Sequence, residues 1–404
     1  MSSLSKIEIN LKNLKYNVKN LRSLLKPNTK FMSVVKSNAY GHGIIECAKA
    51  SIEAGSDWLG VISLNEAILI REKLKIRDIP ILVLGYVEPE DFQIAAENNI
   101  SVAIVNWEQL EKIKKSNFKF RNDNLKLKIH LKIETGISRL GFIESDWKKL
   151  ISELKKLPKN IIIEGVYSHF ASVEEYDLDY AKKQIEKFKK FKKLFEQNYQ
   201  FSFINFQPIF HIAASAATII LPESHFDMIR CGIAIYGLWP SKEIKNAKIK
   251  NQNNNLKINN YLKPVLSYKT KIVQIKDVKR GEYIGYGCTY PVDKPMTIAV
   301  IPVGYAEGFA RGFSNPAPAG NKSGDVIIKG QRCSIVGRVC MNMSIVDVSK
   351  LITYGLKLKA SEEVVLIGKQ NHTIITADEW AEKLGTINYE ITTRLPNNII
   401  RKYI

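Results

Sequence analysis

Cysteine is scarce in this chain, and the few cysteines form no recognisable metal or disulfide pattern. Among 404 residues there are five, none in a C-x-x-C pair, and the number is odd. They are Cys47, Cys231, Cys288, Cys333 and Cys340. This spacing predicts neither a disulfide framework nor a zinc site, so no metal is expected.

Long hydrophobic runs are also missing. The longest apolar stretch, residues 209–221, is interrupted by His211 and Ser215 and is too short to span a bilayer. The first residues lack the uninterrupted apolar segment of a secretory signal. We therefore expect a cytoplasmic protein with no membrane partner.

Arginine is rare, although the net charge is +20. Only 12 of the 60 basic residues are arginines, and an excess of lysine beside many Ile and Asn residues indicates biased residue usage. In the densest basic run, residues 181–195, apolar side chains recur at near-helical spacing, so the lysines form the solvated face of an amphipathic helix. No nucleic-acid-binding signature accompanies the charge, and no nucleic-acid partner is expected.

The first 240 residues alternate between strand-like and helix-like segments. Amphipathic helical patterns such as residues 65–74 and 146–157 separate runs of strand-forming residues. The predicted strands are 31–35, 58–62, 79–84, 101–105, 127–133, 161–167, 208–213 and 226–230. Eight strand–helix repeats favour a (β/α)8 TIM-type barrel over residues 1–240, with a doubly wound open sheet as the alternative.

The sequence changes character after Trp239-Pro240. An Asn-rich stretch at 251–260 is typical of a loop, and a linker is predicted over 241–260. Beyond it come one helix-like segment, 377–384, and a series of short β-rich runs. Those runs are 266–275, 297–303, 325–328, 333–339, 344–348 and 364–367. The α/β barrel is thus predicted to be followed by a mainly β C-terminal domain over 261–404.

The segment MSVVKSNAYGHG ends a strand-like run in Lys36 and breaks into a glycine-rich turn. A lysine at the end of a buried strand is poorly solvated, which favours its neutral form. A neutral primary amine can form a Schiff base with an aldehyde such as pyridoxal phosphate. The alternative for an isolated Val-Val-Lys is an ordinary surface lysine at a strand end.

Polar residues of chemical interest follow several of the predicted strands. Reactive residues of a barrel come from the carboxyl ends of its strands, and the last two strands often hold a phosphate. The residues at these positions are Lys36, Tyr40, Arg139, His169, Ser215, Arg230, Gly232 and Ile233. The free backbone N–H groups of the segment that opens at Gly232 would suit a dianion. For Arg230, a salt bridge with Asp227 or a nearby glutamate is an equal alternative.

Nine motifs in order resemble those of alanine racemases: VVKSNAYGHG, LKIETGISRLG, YSHF, HIAASAA, RCGIAIYGL, GYGCTY, IPVGYAEGFARG, GRVCMN and INYEITTRLP. The resemblance covers nearly the whole chain. It implies a barrel followed by a β domain, pyridoxal 5'-phosphate as cofactor and the interconversion of L- and D-alanine. It also implies a homodimer with shared active sites, and D-alanine production for peptidoglycan.

The resemblance assigns proton transfer to Lys36 on one face of the substrate and Tyr286 on the other. A tyrosine near its reference pKa of about 10 is a poor base at neutral pH, so it needs a cationic neighbourhood, for which His169 and Arg230 are the candidates. Arg230 is expected to face the pyridine nitrogen, and the substrate carboxylate to meet Arg139 and the backbone of Met341. The residues resembling phosphate ligands are Tyr40, Ser215, Gly232, Ile233 and Tyr389.

Further positions are implied by the same resemblance. Lys132 matches a lysine that is carbamylated in many members, and an entry corridor is expected from Arg311, Arg338, Glu174 and Tyr305. The chain departs from the usual pattern at Asn342, Glu307, the loop Gly136-Ile-Ser-Arg139 and Asn397. None of these departures removes a proton-transfer group, and we expect Asn342→Asp to change turnover modestly.

Three other interpretations of the sequence stay open. A broad-specificity racemase would share the catalytic residues and differ in cavity size. A basic amino-acid decarboxylase of related fold would need a reactive cysteine and an acidic partner for the pyridine nitrogen, and neither motif is apparent. A non-catalytic pyridoxal-phosphate-binding protein would lack the β domain that carries Tyr286.

Overall fold

The computed structural model describes residues 4–115, 125–175, 177–199, 207–250, 262–317 and 322–404. The chain forms two compact units. The first, which we call the barrel unit, contains Asn13–Ala39 and Ile44–Lys263. The second, which we call the C-terminal unit, contains the segment ending at Lys12, Tyr40–Gly43 and Pro264–Ile404. The domain limits 1–240, 241–260 and 261–404 stay predictions, but the observed units are interleaved in sequence. In the predicted linker, Lys242–Lys250 is helical, and the Asn-rich residues 251–260 lie outside the described residues.

The strands of the described residues are, in chain order, β1 (Lys6–Ile9), β2 (Lys30–Val34), β3 (Trp58–Val61), β4 (Ile81–Val83), β5 (Ile100–Ile104), β6 (Leu127–Lys132), β7 (Ile161–Tyr167), β8 (Ile209–His211), β9 (Met228–Cys231), β10 (Leu266–Lys271), β11 (Gln274–Val278), β12 (Tyr283–Ile284), β13 (Tyr290–Pro291), β14 (Met296–Ile301), β15 (Asp325–Ile328), β16 (Gln331–Ser334), β17 (Ser344–Asp347), β18 (Glu363–Gln370), β19 (Thr373–Ile375) and β20 (Ile400–Tyr403). The α-helices are Leu11–Arg22, Ile44–Glu53, Leu64–Leu74, Phe92–Glu97, Trp107–Lys115, Trp147–Leu154, Asp179–Asn198, Ser215–Ile220, Lys242–Lys250, Ser349–Thr353, Ala377–Leu384 and Asn388–Thr393.

Strands β2 to β9 form one parallel eight-stranded sheet in the order β8-β7-β6-β5-β4-β3-β2-β9. The two end strands of this order, β8 and β9, contact each other, so the sheet curls back on itself. Two backbone hydrogen bonds cross from β9 to β8: the N–H of Asp227 donates to Phe210 and that of Arg230 to Ala213, both at 3.0 Å. The predicted (β/α)8 barrel is confirmed, nearly closed, and the open sheet is wrong.

The sequence pattern accounts for the barrel well. Its strands are buried on both faces, as helix-covered parallel strands must be, and therefore appear as continuous apolar runs. The helices between them each bury one apolar stripe. In Asp179–Asn198, Ile185, Phe188 and Phe195 are buried while the lysines of the basic run stay on the other face.

The C-terminal unit is mainly β, as predicted. Its largest sheet runs β16-β15-β18-β10-β1-β20, with β19 paired to β18, and a three-stranded sheet runs β11-β14-β17. The alternating N-terminal segment forms β1, which pairs antiparallel with β10 and parallel with β20. These pairings explain why the first residues group with the end of the chain.

Two predicted strands in this unit need correction. Residues 266–275 are not one strand, because the chain turns after β10 and β11 joins a different sheet. The run 333–339 forms a strand only to Ser334, in β16; beyond it Ile335 makes an isolated bridge with Val346. Both segments are apolar on either side of the break, so hydrophobicity alone could not locate it. Among the described residues, no helix has the length and apolar character needed to cross a membrane.

Candidate active site

Lys36 lies two residues after β2, beyond the carboxyl end of the strand, and opens an unusual backbone turn. Ser37, Asn38, Ala39 and Tyr40 all have φ between 52° and 54°, the left-handed helical region. For residues other than glycine this conformation costs roughly 1–2 kcal/mol each. Strain of this kind persists only where the surroundings hold it, and it is concentrated at functional sites.

Two side chains hold this left-handed turn. Glu66 accepts a hydrogen bond from the N–H of Asn38 at 3.1 Å through Oε1 and one from Ile62 at 3.0 Å through Oε2. Oδ1 of Asn38 in turn accepts from the N–H of Ile44 at 2.9 Å, where the next helix begins. The Glu66 carboxylate thereby ties the turn after β2 to the turn after β3.

The Lys36 amine is half-buried and lies in a positive electrostatic environment. Burial, reinforced by Arg139 and Arg230 and opposed by Glu66, lowers the pKa of Lys36 below its usual value. A lowered pKa increases the fraction of neutral, nucleophilic amine. The structure thus gives Lys36 the electrostatic character expected from its sequence position.

Arg230 on β9 is buried among uncharged partners. Nη1 donates to Nδ1 of His211 at 2.8 Å, and Nη2 donates to the carbonyls of Ser168 and Ile212 at 2.7 and 3.0 Å. Burial lowers the pKa of Arg230 to about 10, so the group stays a cation at neutral pH. Among the described residues, no carboxylate lies within salt-bridge distance of Arg230. Asp227 accepts instead from the N–H of Phe210 at 2.8 Å, so the alternative of an Asp227 salt bridge is wrong.

His169 lies beside Arg230, with its Nδ1 3.3 Å from Nη2 of the guanidinium. Arginine can only donate, so Nδ1 accepts and the proton of the neutral ring is on Nε2. Burial and the charges of Arg230 and Lys132 hold the pKa of His169 well below its usual range. The positive charge expected from His169 and Arg230 together therefore comes from Arg230.

Tyr167 lies close to both Lys132 and Arg230. The Lys132 amine lies 4.3 Å from the centre of the Tyr167 ring, and the Arg230 guanidinium 5.4 Å from it. On another side the same ring stacks on His211. Burial, with Arg230 and Arg139, lowers the pKa of Lys132 well below its usual value. Neither Tyr167 nor His211 was predicted from the sequence, where each is one polar residue in a mostly apolar strand.

Three predicted phosphate ligands meet in the barrel unit. The N–H groups of Gly232 and Ala234 point at Oγ of Ser215 at 3.0 and 3.4 Å. Ile233 starts the short 3-10 helix Ile233–Tyr236 between these donors. The arrangement gathers backbone N–H groups and one hydroxyl, the donor set that a phosphate dianion requires.

The other two predicted phosphate ligands, Tyr40 and Tyr389, lie together in the C-terminal unit. Their ring centres are 6.2 Å apart. The backbone between Tyr40 and Gly43 packs tightly in this unit, since a Cβ on Gly41 would lie 2.1 Å from the carbonyl oxygen of Thr392. Glycine is therefore required at this close approach.

Arg139 ends a loop organised by one carboxylate. Glu134 accepts from the N–H groups of Gly136 and Arg139, the latter at 3.2 Å. Burial tends to raise the pKa of Glu134, but these backbone hydrogen bonds lower it further, leaving it below its usual value. The loop holds its shape around the acid, and Arg139 itself stays exposed.

Tyr286 is presented on the surface of the C-terminal unit, where 71% of it is exposed. Gly285 and Gly287 flank it with φ of 78° and 73°, a conformation that favours glycine on both sides. Met341, 56% exposed, belongs to the same unit, and its carbonyl accepts from the N–H of Ala306 at 2.9 Å.

The predicted corridor residues are distributed over both units. Arg338 packs over the turn after Tyr286, since a Cβ on Gly287 would lie 2.8 Å from its Nη1. Tyr305 and Arg311 lie in short 3-10 helices of the same unit. Glu174 belongs to the barrel unit, where burial raises the pKa of its carboxyl. Within the described residues, no cluster of three or more His, Cys, Asp or Glu could hold a metal ion.

Comparison with known proteins matches the whole chain to one family. The family model described as "Alanine racemase, N-terminal domain" matches residues 9–240, and "Alanine racemase, C-terminal domain" matches residues 265–403. The alanine racemase of Carboxydothermus hydrogenoformans is 38% identical over 98% of both chains. That of Methanococcus maripaludis is 36% identical over 98% of both chains.

Solved structures agree with the sequence relatives. An alanine racemase of Clostridium difficile 630 superimposes with a TM-score of 0.85 at 32% identity, over 100% of this chain and 96% of that one. The alanine racemase of Bacillus anthracis with bound L-Ala-P matches with the same TM-score, 0.85, the same identity, 32%, and the same coverage, 100% and 96%.

Proposed function

The chain belongs to the alanine racemase family, and from this premise we propose that it interconverts L- and D-alanine, with pyridoxal 5'-phosphate held at Lys36. The observation that carries the proposal is the electrostatic setting of Lys36. Its amine lies at the carboxyl end of a barrel strand with a lowered pKa, in the field of Arg139 and Arg230. A nucleophilic amine and a permanent cation at one barrel rim suit an aldehyde cofactor with an aromatic nitrogen.

The residues of the chain fit this cofactor at each end. The Ser215 oxygen accepts from the N–H groups of Gly232 and Ala234, which leaves its hydroxyl proton for a phosphate. Gly232, Ile233, Tyr40 and Tyr389 are the further phosphate ligands by resemblance. Arg230 would face the pyridine nitrogen. When bound, pyridoxal phosphate supplies an electron-withdrawing ring that stabilises the negative charge left at the alanine Cα. Because Arg230 only donates and stays charged, it would keep that nitrogen unprotonated and the charge short-lived, which favours racemisation over transamination.

Two residues of the chain then move the proton. Once the alanine amine has displaced it from the cofactor aldehyde, the free Lys36 amine would take or return the Cα proton on one face, and the Tyr286 hydroxyl would do so on the other. His169 carries its ring proton on Nε2, because Nδ1 accepts from Arg230. It can therefore donate to the tyrosine oxygen and stabilise the anionic form. Arg139 and the backbone of Met341 would hold the alanine carboxylate, a planar anion suited to a guanidinium.

We propose further that the active enzyme is a homodimer in which Tyr286 reaches the partner's cofactor. The proposal is supported by the exposure of large apolar side chains in the C-terminal unit, which an isolated subunit would leave in water. These are Tyr283, Tyr286, Tyr305, Met341 and Met343.

Other implications of the resemblance stay predictions. They are the carbamylation of Lys132, the cytoplasmic location, the corridor of Arg311, Arg338, Glu174 and Tyr305, and D-alanine supply for peptidoglycan. The buried Lys132 has a lowered pKa and faces two guanidinium groups. An amine in that state is nucleophilic, and the carbamate anion formed from it would be stabilised by Arg139 and Arg230.

The test is D-alanine formation by the purified protein with added pyridoxal phosphate, with L-serine, L-lysine and L-glutamate run in parallel. We expect rapid turnover of alanine and slow or no turnover of the larger substrates. Comparable turnover of lysine or glutamate would instead indicate a broad-specificity racemase, and cofactor binding without any turnover would contradict an enzymatic role.

A further inference from the structure

Behind Arg230, a row of buried polar side chains crosses the inside of the barrel, and the proposed reaction gives it no role. Nη1 of Arg230 lies 2.8 Å from Nδ1 of His211, and Nε2 of His211 lies 3.0 Å from Nδ1 of His130. Nε2 of His130 lies 3.4 Å from Oε2 of Glu164. The four residues come from β9, β8, β6 and β7, and we call them the polar chain.

The polar chain lies in the barrel interior. The ring of His130 packs edge-on against Trp58 at 5.4 Å between centres, although β6 and β3 are not neighbours in the sheet. Contact between those strands is only possible across the inside. His130 and His211 have no exposed surface, and Arg230 and Glu164 have 4% and 6%.

A break in strand register directs Glu164 towards the two histidines. Along β6 and β7, Ile129 pairs with Ile163 but His130 pairs with Gly165, so Glu164 is an extra residue in a bulge. Bulges re-aim side chains and are uncommon in parallel sheets. The absent side chain of Gly165 makes room for the histidine, since a Cβ there would lie 2.3 Å from Nδ1 of His130.

The two ends of the polar chain favour the same direction for the two hydrogen bonds between Arg230, His211 and His130. Arg230 can only donate, so Nδ1 of His211 accepts and its proton is on Nε2. That proton is donated to Nδ1 of His130, which puts the His130 proton on Nε2, facing Glu164. An ionised carboxylate can only accept, so the direction imposed from Glu164 is the same. The last link is not a hydrogen bond. Among the described residues Nε2 of His130 has no hydrogen-bond partner, and its 3.4 Å contact with Oε2 of Glu164 is electrostatic.

The charges support an ionised Glu164. Burial tends to raise the pKa of Glu164, but His130, Ser101 and Lys128 lower it further, leaving it below its usual value. Ser101 donates to the same oxygen, and the Lys128 amine lies 3.7 Å from the other. Burial and the charge of Arg230 hold the pKa of His211 well below its usual range, so this ring is neutral. Glu164 is thus the acid to which Arg230 is linked, through the imidazoles of His211 and His130.

We propose that Glu164 is a positioning residue for the reaction. Arg230 imposes the Nε2–H forms of the two histidines only while its guanidinium stays on His211. The Glu164 carboxylate disfavours the reversed order of protons, in which His211 carries its proton on Nδ1 and can no longer accept from Arg230. Arg230 is thereby held in one orientation at the barrel rim. The catalytic part of this inference rests on the proposed function, whereas the directional hydrogen bonds do not.

The test uses the enzyme loaded with pyridoxal phosphate and labelled with 15N in histidine, because the two nitrogens of a neutral imidazole have different shifts in each tautomer. We expect Nε2–H forms for His130 and His211 in the wild type. In Glu164→Leu, which removes the acceptor, we expect the His130 and His211 signals to change to mixed tautomers. We also expect kcat for alanine to fall about 10-fold, the size of effect seen for outer-shell partners of catalytic groups, with KM within about twofold.

Two matched variants separate positioning from simple packing. Glu164→Gln keeps an acceptor oxygen, so it should retain both tautomers and a kcat within about threefold of wild type. Ser101→Ala removes the other hydrogen bond to Glu164 without touching the histidines, and its tautomers should not change. If Glu164→Leu does not fold, the wild-type spectrum keeps the proposal falsifiable, because an Nδ1–H form of either histidine contradicts it.

The proposal is overturned if either histidine of the wild type is in the Nδ1–H form. It is also overturned if Glu164→Leu leaves both tautomers and kcat unchanged. Failure of the proposed function looks different: the wild type would bind pyridoxal phosphate and form no D-alanine, while its histidine spectrum would still report the direction of the polar chain.

Discussion

Asn342 donates a hydrogen bond from Nδ2 to Oε1 of Glu307 at 2.7 Å, so two residues that depart from the family pattern are partners of each other. Oε2 of Glu307 accepts from the N–H of Gly304 at 2.9 Å. The same turn bonds to the segment before Asn342, through Tyr305 to the carbonyl of Cys340 and Ala306 to that of Met341. The pair therefore joins the turn that carries Tyr305 to the segment that carries Met341.

This pairing predicts the outcome of restoring the usual acid at position 342. Asn342→Asp would replace an amide donor with a second carboxylate facing Glu307. Like charges raise the pKa of one of the two acids, so the stability lost by the variant should increase as the pH rises through that raised pKa. Because the pair is exposed, we expect a loss of only about 0.5 kcal/mol near pH 8 and less at pH 5, with kcat for alanine within about threefold. Thermal unfolding at the two pH values measures the effect.

The control is the double variant Asn342→Asp with Glu307→Gln, which exchanges the acid and the amide. We expect it to recover most of the lost stability, since an amide again donates to a carboxylate. If the stability lost in the double variant equals the sum of the losses in Asn342→Asp and in Glu307→Gln alone, the two residues do not interact.

A second prediction concerns Glu134, which holds the loop before Arg139. Glu134→Ala leaves the N–H groups of Gly136 and Arg139 without their acceptor, so the loop should loosen and Arg139 should lose its fixed position. We expect KM for alanine to rise about 10-fold with a smaller change in kcat, because substrate-carboxylate binding is what is lost. Steady-state kinetics measure the split. Glu144→Ala is the matched control, because it removes only exposed ion pairs with Lys187 and Lys190 and should leave KM unchanged.

The buried histidines predict how stability depends on pH. The pKa values of His169 and His211 are lowered in the folded protein, by burial first and then by Arg230. Below about pH 6.5 the unfolded chain binds protons that the folded one does not, so stability must fall as the pH falls. Each group contributes up to about 1.4 kcal/mol per pH unit.

The measurement is the free energy of unfolding between pH 7.5 and about pH 5. His211→Gln removes one of the two groups and should make the dependence less steep, whereas His372→Gln, at an exposed position, should leave it unchanged. A wild-type stability that is flat or rises on acidification would show that these rings are protonated in the folded state.

The proposed homodimer predicts complementation between two inactive variants. Lys36→Ala and Tyr286→Phe should each lose alanine racemisation by at least about 100-fold, because each removes one proton-transfer group. In a mixed dimer, one of the two sites regains both groups. Random exchange of subunits should therefore restore about a quarter of wild-type activity. Lys30→Ala, at an exposed position at the start of the strand that precedes Lys36, is the control for the substitution.

Activity that stays at the level of the separate variants after subunit exchange would contradict a site shared between subunits. The exchange itself is checked by mass spectrometry of differently tagged chains. Wild-type turnover by a monomer in sedimentation at assay concentration would also exclude the shared site.

The sequence predicts the barrel well and the C-terminal unit less well, for a physical reason. Each barrel strand is buried on both faces and bounded by polar turns, so its apolar run matches its length. In the C-terminal unit, residues 266–275 are continuous in pattern, yet β10 and β11 belong to different sheets. Pairing partners far apart in the chain decide this, and they leave no local signal.

The candidate active site likewise has residues that the sequence predicts and features that it does not. Lys36, Arg230 and Ser215 could be predicted because each lies near the carboxyl end of a strand and belongs to a motif. The left-handed turn at Ser37–Tyr40 could not, because Ser-Asn-Ala-Tyr contains no glycine to indicate it. The polar chain was also missed, because its residues lie on four separate strands. The order of strands in the sheet and the approach of β8 to β9 bring them together.

The central claim is tested most directly by following two reactions of the wild type with pyridoxal phosphate, one from pure L-alanine and one from pure D-alanine. Enantiomers have equal free energy in water, so a racemase must bring both reactions to the same equal mixture. We predict this convergence, and its loss in Lys36→Ala. If the wild type binds the cofactor and leaves either enantiomer unchanged, the chain is not an alanine racemase, and the roles proposed for Lys36 and Tyr286 are wrong.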